Sequence, residues 1–172
     1  MRAFPPPEDQ GVPFDRLLSP ECTVCDLGAA SKKRALELAA ERLAERFPEL
    51  DARAVLDALM ARERLGSTAV GAGVAIPHCR LDGCPEPLAA LLRLAAAVDF
   101  DAPDGVPVDL LFVLVVPGEA HETHLELLAA AARALNEPAY RAALREAGDD
   151  LDLFETALYS PHPGGAAGAA SA

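Results

Sequence analysis

The sequence predicts a single α/β domain with a central mixed β-sheet flanked by helices on both faces. Two observations support this fold class. The run Leu110–Val116 is apolar at every position, which is typical of a strand covered on both faces. Segments with helical periodicity stand before and after it, and no internal repeat divides the 172 residues. We expect the domain to cover residues 14–159, between a disordered lead-in at 1–13 and a flexible Gly/Ala-rich tail at 160–172.

The first part of the domain predicts one edge strand and two helices. A short turn leads to the strand around Thr23–Cys25. Ser31 is a favourable N-cap for a helix over 32–47, and Asp51 caps a second helix that ends near Arg64. The first helix has apolar residues spaced by four, three and four, as one helical face requires. These residues are Leu36, Ala40, Leu43 and Phe47.

The middle of the chain contains the less regular elements. A glycine-punctuated loop leads into Val74–Ile76, a predicted buried strand that the following proline ends. Turn-forming residues predict a loop over 80–87. The segment 88–98 is ambiguous, because its alanines favour a helix. The turn residues at 101–105 instead indicate a hairpin, which favours a strand for part of 90–98.

The last third of the chain begins with the clearest strand, Val108–Val116. A helix is predicted over 120–135, and two short helices follow at 139–147 and 149–159. The long helix is expected to bury one apolar face, formed by Leu125, Leu128, Ala132 and Leu135.

Charge and hydropathy exclude several classes of protein. The formal net charge is −12, so a phosphate backbone or an anionic membrane surface would be repelled. No window approaches the ~20 apolar residues of a membrane-spanning helix. The first residues lack the apolar core of a signal peptide. We therefore expect a cytoplasmic protein that neither binds nucleic acid nor inserts into membranes.

The cysteines form two close pairs, but their spacing is poor for zinc. One pair is separated by a four-residue spacer and the two pairs lie far apart in the sequence, whereas structural zinc sites usually have tighter spacing. Free thiols are the expected state in a cytoplasmic protein. The residues concerned are Cys22, Cys25, Cys79 and Cys84.

Two histidines are placed where α/β proteins gather reactive groups. His78 and His124 each follow the end of a predicted buried strand, and His124 falls near the start of its helix, where the dipole disfavours protonation. A neutral imidazole is a nucleophile toward phosphorus, and a second imidazole can donate a hydrogen bond to phosphoryl oxygens. Arg62, at the end of the preceding helix, is suited to bind the same oxygens. His121 shares the region of His124, whereas His162 lies between two prolines of the tail and is set aside.

Spacing alone leaves other interpretations open. A dinucleotide-binding loop is excluded, because Gly71–Gly73 precedes a strand and Ile76 stands where a third glycine is needed. A metal hydrolase with His78, His121 and His124 as ligands remains an alternative, although the His-Glu-x-x-His order of zinc proteases is absent. Packed or exposed histidines without chemistry are the simplest alternative.

Two blocks of sequence together indicate a family. The run Arg62–His78 resembles the active-site signature of the EIIA domains of the bacterial phosphoenolpyruvate-dependent sugar phosphotransferase system. The similarity is to the fructose/mannitol branch, which includes the nitrogen-regulatory EIIA proteins. The later segments Pro107–Phe112, Val116–Pro117 and Thr123–Leu125 resemble the second block of that family, in order. The resemblance covers about residues 14–159.

The resemblance implies a role for three residues. His78 matches the phosphorylated histidine, His124 the histidine that assists it, and Arg62 the arginine near the phosphoryl group. His121 has no counterpart in the family pattern, and Cys79 stands where glycine or alanine is common. No metal or organic cofactor is implied.

The expected function is that of a phosphohistidine carrier rather than a free-standing enzyme of multiple turnovers. The resemblance implies that His78 accepts a phosphoryl group from an HPr-like phosphocarrier, in the nitrogen-regulatory branch. A possible EIIB protein or a regulatory protein would be the next partner. Two alternatives remain: a sugar-specific fructose/mannitol EIIA component that passes phosphate to an EIIB, and an interaction module on the same fold without catalysis.

Overall fold

A mixed β-sheet of six strands forms the centre of the fold in residues 14–161, the part of the chain that this computed structural model describes. The predicted lead-in 1–13 and the tail residues 162–172, with His162, lie outside the described residues. The strands are β1 (Thr23–Leu27), β2 (Ala69–Gly71), β3 (Val74–Ala75), β4 (His78–Leu81), β5 (Leu88–Val98) and β6 (Val108–Pro117).

Strand β6 is the centre of the sheet, as its sequence predicted. The strand order is β1-β5-β6-β3-β2, and β4 also pairs with β6. β5 runs antiparallel to β6, whereas β3 and β4 run parallel to it. β1 is parallel to β5 at one edge, and β2 forms an antiparallel hairpin with β3 at the other. The predicted mixed sheet and the predicted edge strand are therefore confirmed.

Helices cover both faces of the sheet, because β6 sends alternate side chains into two separate cores. The helices are α1 (Phe14–Leu17), α2 (Lys32–Arg46), α3 (Ala52–Leu65), α4 (His121–Leu135), α5 (Pro138–Glu146) and α6 (Asp150–Tyr159). Helices α2 and α3 pack on the face that receives Leu111, Val113 and Val115. The other four helices pack on the face that receives Leu110, Phe112, Leu114 and Val116. None of the helices described is long and apolar enough to cross a bilayer.

The predicted N-caps of the first two long helices are confirmed. The Ser31 side chain accepts a hydrogen bond from the Arg34 amide at 3.1 Å, and Asp51 accepts one from the Ala54 amide at 3.0 Å. Each cap satisfies an amide that the first turn of a helix leaves without a partner. These contacts fix where α2 and α3 begin.

The glycine-punctuated loop contains a tight turn between β2 and β3. Gly71, Ala72 and Gly73 all have positive φ angles, of 100°, 58° and 79°. The φ angle of Gly73 needs the backbone freedom of glycine, and a Cβ atom there would also displace Nη2 of Arg145, which would lie 2.6 Å away. The hairpin strand β2 was not predicted.

Two further sequence predictions were wrong, and one was right but incomplete. Residues 80 and 81 belong to β4 rather than to a loop, because β6 extends beyond β3 and offers them backbone partners. The strand favoured for part of 90–98 is confirmed and extends over the whole of 88–98, because pairing with β6 overrides the helical preference of its alanines. Of the predicted apolar face of α4, Leu128, Ala132 and Leu135 pack on the core, whereas Leu125 is 67% exposed.

Candidate functional site

His78 is the first residue of β4 and presents one ring nitrogen with an available lone pair. Its Nδ1 lies 2.8 Å from the carbonyl oxygen of Ile76. Because a carbonyl only accepts, Nδ1 carries the proton, and Nε2 is left as the acceptor. Nε2 accepts a hydrogen bond from Nε of Arg62 at 3.2 Å. The backbone therefore fixes the tautomer that leaves Nε2 unprotonated, as a nucleophilic nitrogen must be.

The surroundings of His78 favour its neutral form. Burial lowers the pKa of His78 below its ordinary value, and the charge of Arg62 lowers it further. The hydrogen bond to Ile76 and the charge of Glu63 act in the opposite direction without reversing the shift. The ring is therefore neutral at neutral pH, which a nucleophilic imidazole requires.

Arg62 reaches His78 from the last turn of α3. Its Nη1 donates a hydrogen bond to the carbonyl oxygen of Gly66 at 2.9 Å, while Nε faces the imidazole. The guanidinium thus spans the space between the end of the helix and the strand. The structure brings the predicted pair of Arg62 and His78 into direct contact.

Glu63, the next residue, holds the segment that carries Arg62. It is 7% exposed, and its carboxylate accepts hydrogen bonds from the amide of Thr68 at 3.1 Å and from the Thr68 hydroxyl at 2.7 Å. Nζ of Lys32 lies 3.1 Å from the same carboxylate and 3.1 Å from that of Asp101. We name these four residues the Glu63 cluster. It ties the end of α3 to the loop before β2.

No role for Glu63 was predicted from the sequence. The only local signal was a carboxylate beside the arginine, with a Ser-Thr pair in the loop that follows.

His124 approaches His78 from the first turns of α4. The centroids of the two rings are 5.2 Å apart, and the ring planes are inclined by 66°. Burial lowers the pKa of His124 to about 4, and the positive charges of Arg80 and, once it is protonated at low pH, of His78 contribute. Its Nε2 is buried and has no hydrogen-bond partner among the described residues. Buried polar atoms are usually paired, so this nitrogen has an unused capacity for one hydrogen bond.

Arg80 and His121 stand beside these two imidazoles. His121 is the first residue of α4 and lies one turn before His124. His121 and Arg80 are both exposed. Nη1 of Arg80 lies 2.9 Å from Nε2 of His121 and also contacts Nδ1 of that ring. The position of His121 near His124 was predicted from the sequence, whereas the involvement of Arg80 was not. We name His78, His124, Arg62, Arg80 and His121 the histidine cluster.

The geometry does not suit a metal. Within residues 14–161, no group of three or more His, Cys, Asp or Glu residues is arranged to hold a metal ion. The ring nitrogens of the proposed hydrolase ligands His78 and His121 face guanidinium groups, which would repel a cation. Positive charge around a neutral nucleophile instead suits an anion, such as a phosphoryl group.

Comparison with known proteins gives the family. The family described as "Phosphoenolpyruvate-dependent sugar phosphotransferase system, EIIA 2" matches residues 16–158. A nitrogen regulatory protein of Pseudomonas aeruginosa is 50% identical over 142 residues, which are 83% of this chain and 92% of that protein. A fructose-specific EIIA component of Haloferax volcanii is 39% identical over 118 residues, which are 69% of this chain and 77% of that protein.

A solved structure agrees with these sequence matches. The nitrogen regulatory protein IIA-Ntr of Neisseria meningitidis superposes with a TM-score of 0.76 at 38% identity, and the match covers 83% of this chain and 97% of that one. The fold expected from the sequence resemblance is therefore confirmed. The chain belongs to the EIIA 2 family of the phosphoenolpyruvate-dependent sugar phosphotransferase system.

Proposed function

We propose that this protein is a phosphoryl carrier that accepts a phosphoryl group on Nε2 of His78 from an HPr-like phosphocarrier. The observation that carries the proposal is the pair of neighbouring imidazoles in the histidine cluster, whose ring centroids are 5.2 Å apart. Nε2 of His78 is unprotonated and accepts only the hydrogen bond from Arg62, and Nε2 of His124 is buried without a partner among the described residues. A phosphoryl group between the rings would satisfy both.

The transfer needs no cofactor and no proton relay. Nε2 of His78 attacks phosphorus, and the electron pair of the broken P–N bond returns to the imidazole of the carrier. The proton on Nδ1 of His78 stays in its hydrogen bond to Ile76, where the carbonyl stabilises the positive charge that develops on the ring. The transition state is loose and rich in charge, so positioning and charge stabilisation are the main contributions of the protein.

Arg62 and His124 supply that stabilisation. Arg62 exchanges its contact with Nε2 of His78 for the phosphoryl oxygens, since a charge-assisted hydrogen bond is stronger than one to a neutral ring. His124 donates from Nε2, and its lowered pKa keeps the ring neutral, so that it does not compete for a proton. These roles are the ones that the sequence resemblance implied.

We place the protein in the nitrogen-regulatory branch. The support is the name of the 50% identical relative and that of the Neisseria structure, both nitrogen regulatory proteins. The phosphorylation state would then be a signal to a regulatory target. The second candidate is a sugar-specific component that passes the group to an EIIB, which the name of the fructose-specific relative favours.

The test is phosphorylation by phosphoenolpyruvate with the general phosphotransferase proteins, followed by intact mass. The wild type should gain one phosphoryl group, and His78→Ala should gain none with an unchanged circular dichroism spectrum. His162→Ala, in the tail outside the described residues, is the matched control and should be labelled as the wild type is. Labelling of His78→Ala, or binding of the carrier without any labelling of the wild type, would contradict the proposal.

A fructose or mannitol EIIB offered to the labelled protein separates the two candidates. The nitrogen-regulatory assignment predicts that the label stays on His78. Rapid transfer to the EIIB would favour the sugar-specific alternative.

A further inference from the structure

Arg80 is the charged group beside His78 that the proposed function does not use. It lies two residues beyond His78 on β4, so the two side chains point to the same face of the sheet. Cys79, between them, points to the opposite face and packs in the core with α2 and α3. The geometry of the strand therefore directs Arg80 to the side where α4 places its two histidines.

The guanidinium of Arg80 lies near the start of α4, close to His121 and His124. It contacts His121, which stands one helical turn before His124. Its charge also contributes to the lowered pKa of His124. Arg62 approaches His78 from α3, so the two guanidiniums come from different elements.

The present partner of Arg80 is a weak one for a cation. A neutral imidazole offers a lone pair but no charge, and none of the ion pairs among the described residues includes Arg80. Arg34, Arg53 and Arg145 each contact a carboxylate instead. A phosphoryl dianion forms stronger, charge-assisted hydrogen bonds with a guanidinium than an imidazole does.

We propose that Arg80 is a second phosphoryl-binding arginine, which His121 holds beside the acceptor until His78 is phosphorylated. On phosphorylation, the guanidinium leaves the His121 ring and binds the phosphoryl oxygens. Arg80 thereby stabilises the phosphorylated form, and His121 is a positioning residue that keeps Arg80 within reach. The inference rests on the proposed function, since it needs a phosphoryl group on His78.

The expected effect is on the equilibrium between carrier and acceptor. The ratio of phosphorylated protein to phosphorylated carrier should fall about tenfold in Arg80→Ala, which is the loss of one charge-assisted hydrogen bond. Arg80→Lys keeps the charge and should recover part of the loss. Arg53→Ala removes the same charge at the other end of α3 and should leave the ratio unchanged.

A spectroscopic measurement separates this role from a structural one. The ring ¹⁵N signals of His121 should move when His78 of the wild type is phosphorylated, because the ring loses Arg80. In Arg80→Ala the His121 signals should already have, before phosphorylation, nearly the chemical shifts of a ring that does not contact Arg80. In His121→Ala the phosphoryl ratio should fall less than in Arg80→Ala, since the guanidinium itself remains.

Two phosphoryl donors keep the failures of the two proposals distinct. The phosphocarrier and the small donor phosphoramidate are used in parallel. If neither donor labels His78 of the wild type, both proposals are overturned. A labelled wild type with equal ratios in Arg80→Ala and Arg53→Ala would overturn the role of Arg80 alone. Weaker carrier binding by Arg80→Ala at an unchanged ratio would also overturn it, because Arg80 would then belong to the docking surface.

Discussion

Two polar clusters begin at adjacent residues of α3 and differ in how completely their polar atoms are paired. In the Glu63 cluster, the buried carboxylate accepts two hydrogen bonds from Thr68 and pairs with Lys32. In the histidine cluster, Nε2 of His124 is buried without a partner among the described residues, and Arg62 contacts a neutral ring. One peptide bond separates Arg62 from Glu63, yet their surroundings have opposite character.

The difference shows how the end of α3 serves stability and chemistry at once. A buried carboxylate is tolerated only when donors surround it, and the paired carboxylate then fixes the loop before β2. A buried nitrogen without a partner costs about 1–3 kcal/mol, and this cost can be recovered when a phosphoryl oxygen binds. We infer that the Glu63 cluster maintains the position of Arg62, while the histidine cluster keeps capacity for a ligand.

The largest expected effect is on stability and tests the Glu63 cluster. Glu63→Ala leaves Lys32 and the Thr68 donors without their buried partner, so the free energy of unfolding should fall by about 3 kcal/mol. Urea denaturation followed by circular dichroism measures it. Asp101→Ala is the matched control, because the Asp101 side chain is 76% exposed against 4% for Glu63 and pairs with the same lysine. The control should cost less than about 1 kcal/mol. Equal losses of unfolding free energy in the two variants would show that the buried carboxylate of Glu63 stabilises the fold no more than the exposed one of Asp101.

The next effect is on transfer and tests the histidine cluster. His124→Ala removes one donor to the phosphoryl oxygens, so the single-turnover rate from the phosphocarrier should fall about 10²–10³-fold. Rapid quench with radioactive phosphate measures the rate. The free energy of unfolding should change far less than in Glu63→Ala, since no hydrogen bond of Nε2 is lost. If His124→Ala instead lost stability and transferred the phosphoryl group at the normal rate, His124 would have a structural role and not a catalytic one.

The smallest effect is on the pH dependence of stability. The folded pKa of His124 is lowered to about 4 from the ordinary 6.5, so the unfolded chain takes up a proton first as the pH falls. Stability should therefore be fully present above pH 6.5 and decline as the pH falls from 6.5 toward 4. Between pH 7 and pH 5, His124→Ala should lose less stability than the wild type. Equal losses in urea denaturation at these two pH values would show that His124 does not contribute to this dependence.

The elements that the sequence predicted well are those with local signals. Helices α2 and α3 begin at side-chain caps, and the apolar run of β6 has one simple interpretation. Strands β4 and β5 depend on a partner elsewhere in the chain. The alanines of β5 have a helical preference that only its pairing with β6 overrides, and no residue within 88–98 contains that information.

The site was predicted in part for the same reason. His78, His124 and Arg62 were identified from the sequence, and the structure brings them together. Glu63 pairs with Lys32, which is 31 residues away in the sequence, and Arg80 contacts His121, which is 41 residues away. Such distant contacts have no local sequence signal. The tautomer of His78 depends on the direction of one carbonyl group, which no sequence pattern states.

The position of His78 on a strand has a consequence for signalling. Its neighbour Pro77 accepts a hydrogen bond from the Leu114 amide at 2.9 Å, and His78 itself is in register with Leu114. The backbone that would carry the proposed phosphoryl group is thus anchored in the sheet, so side chains rather than main chain would accommodate the new group. The two states of the protein would then present nearly the same shape and different charge. A receptor that distinguishes them must read the electrostatic potential at this rim, and its discrimination should weaken as the ionic strength rises.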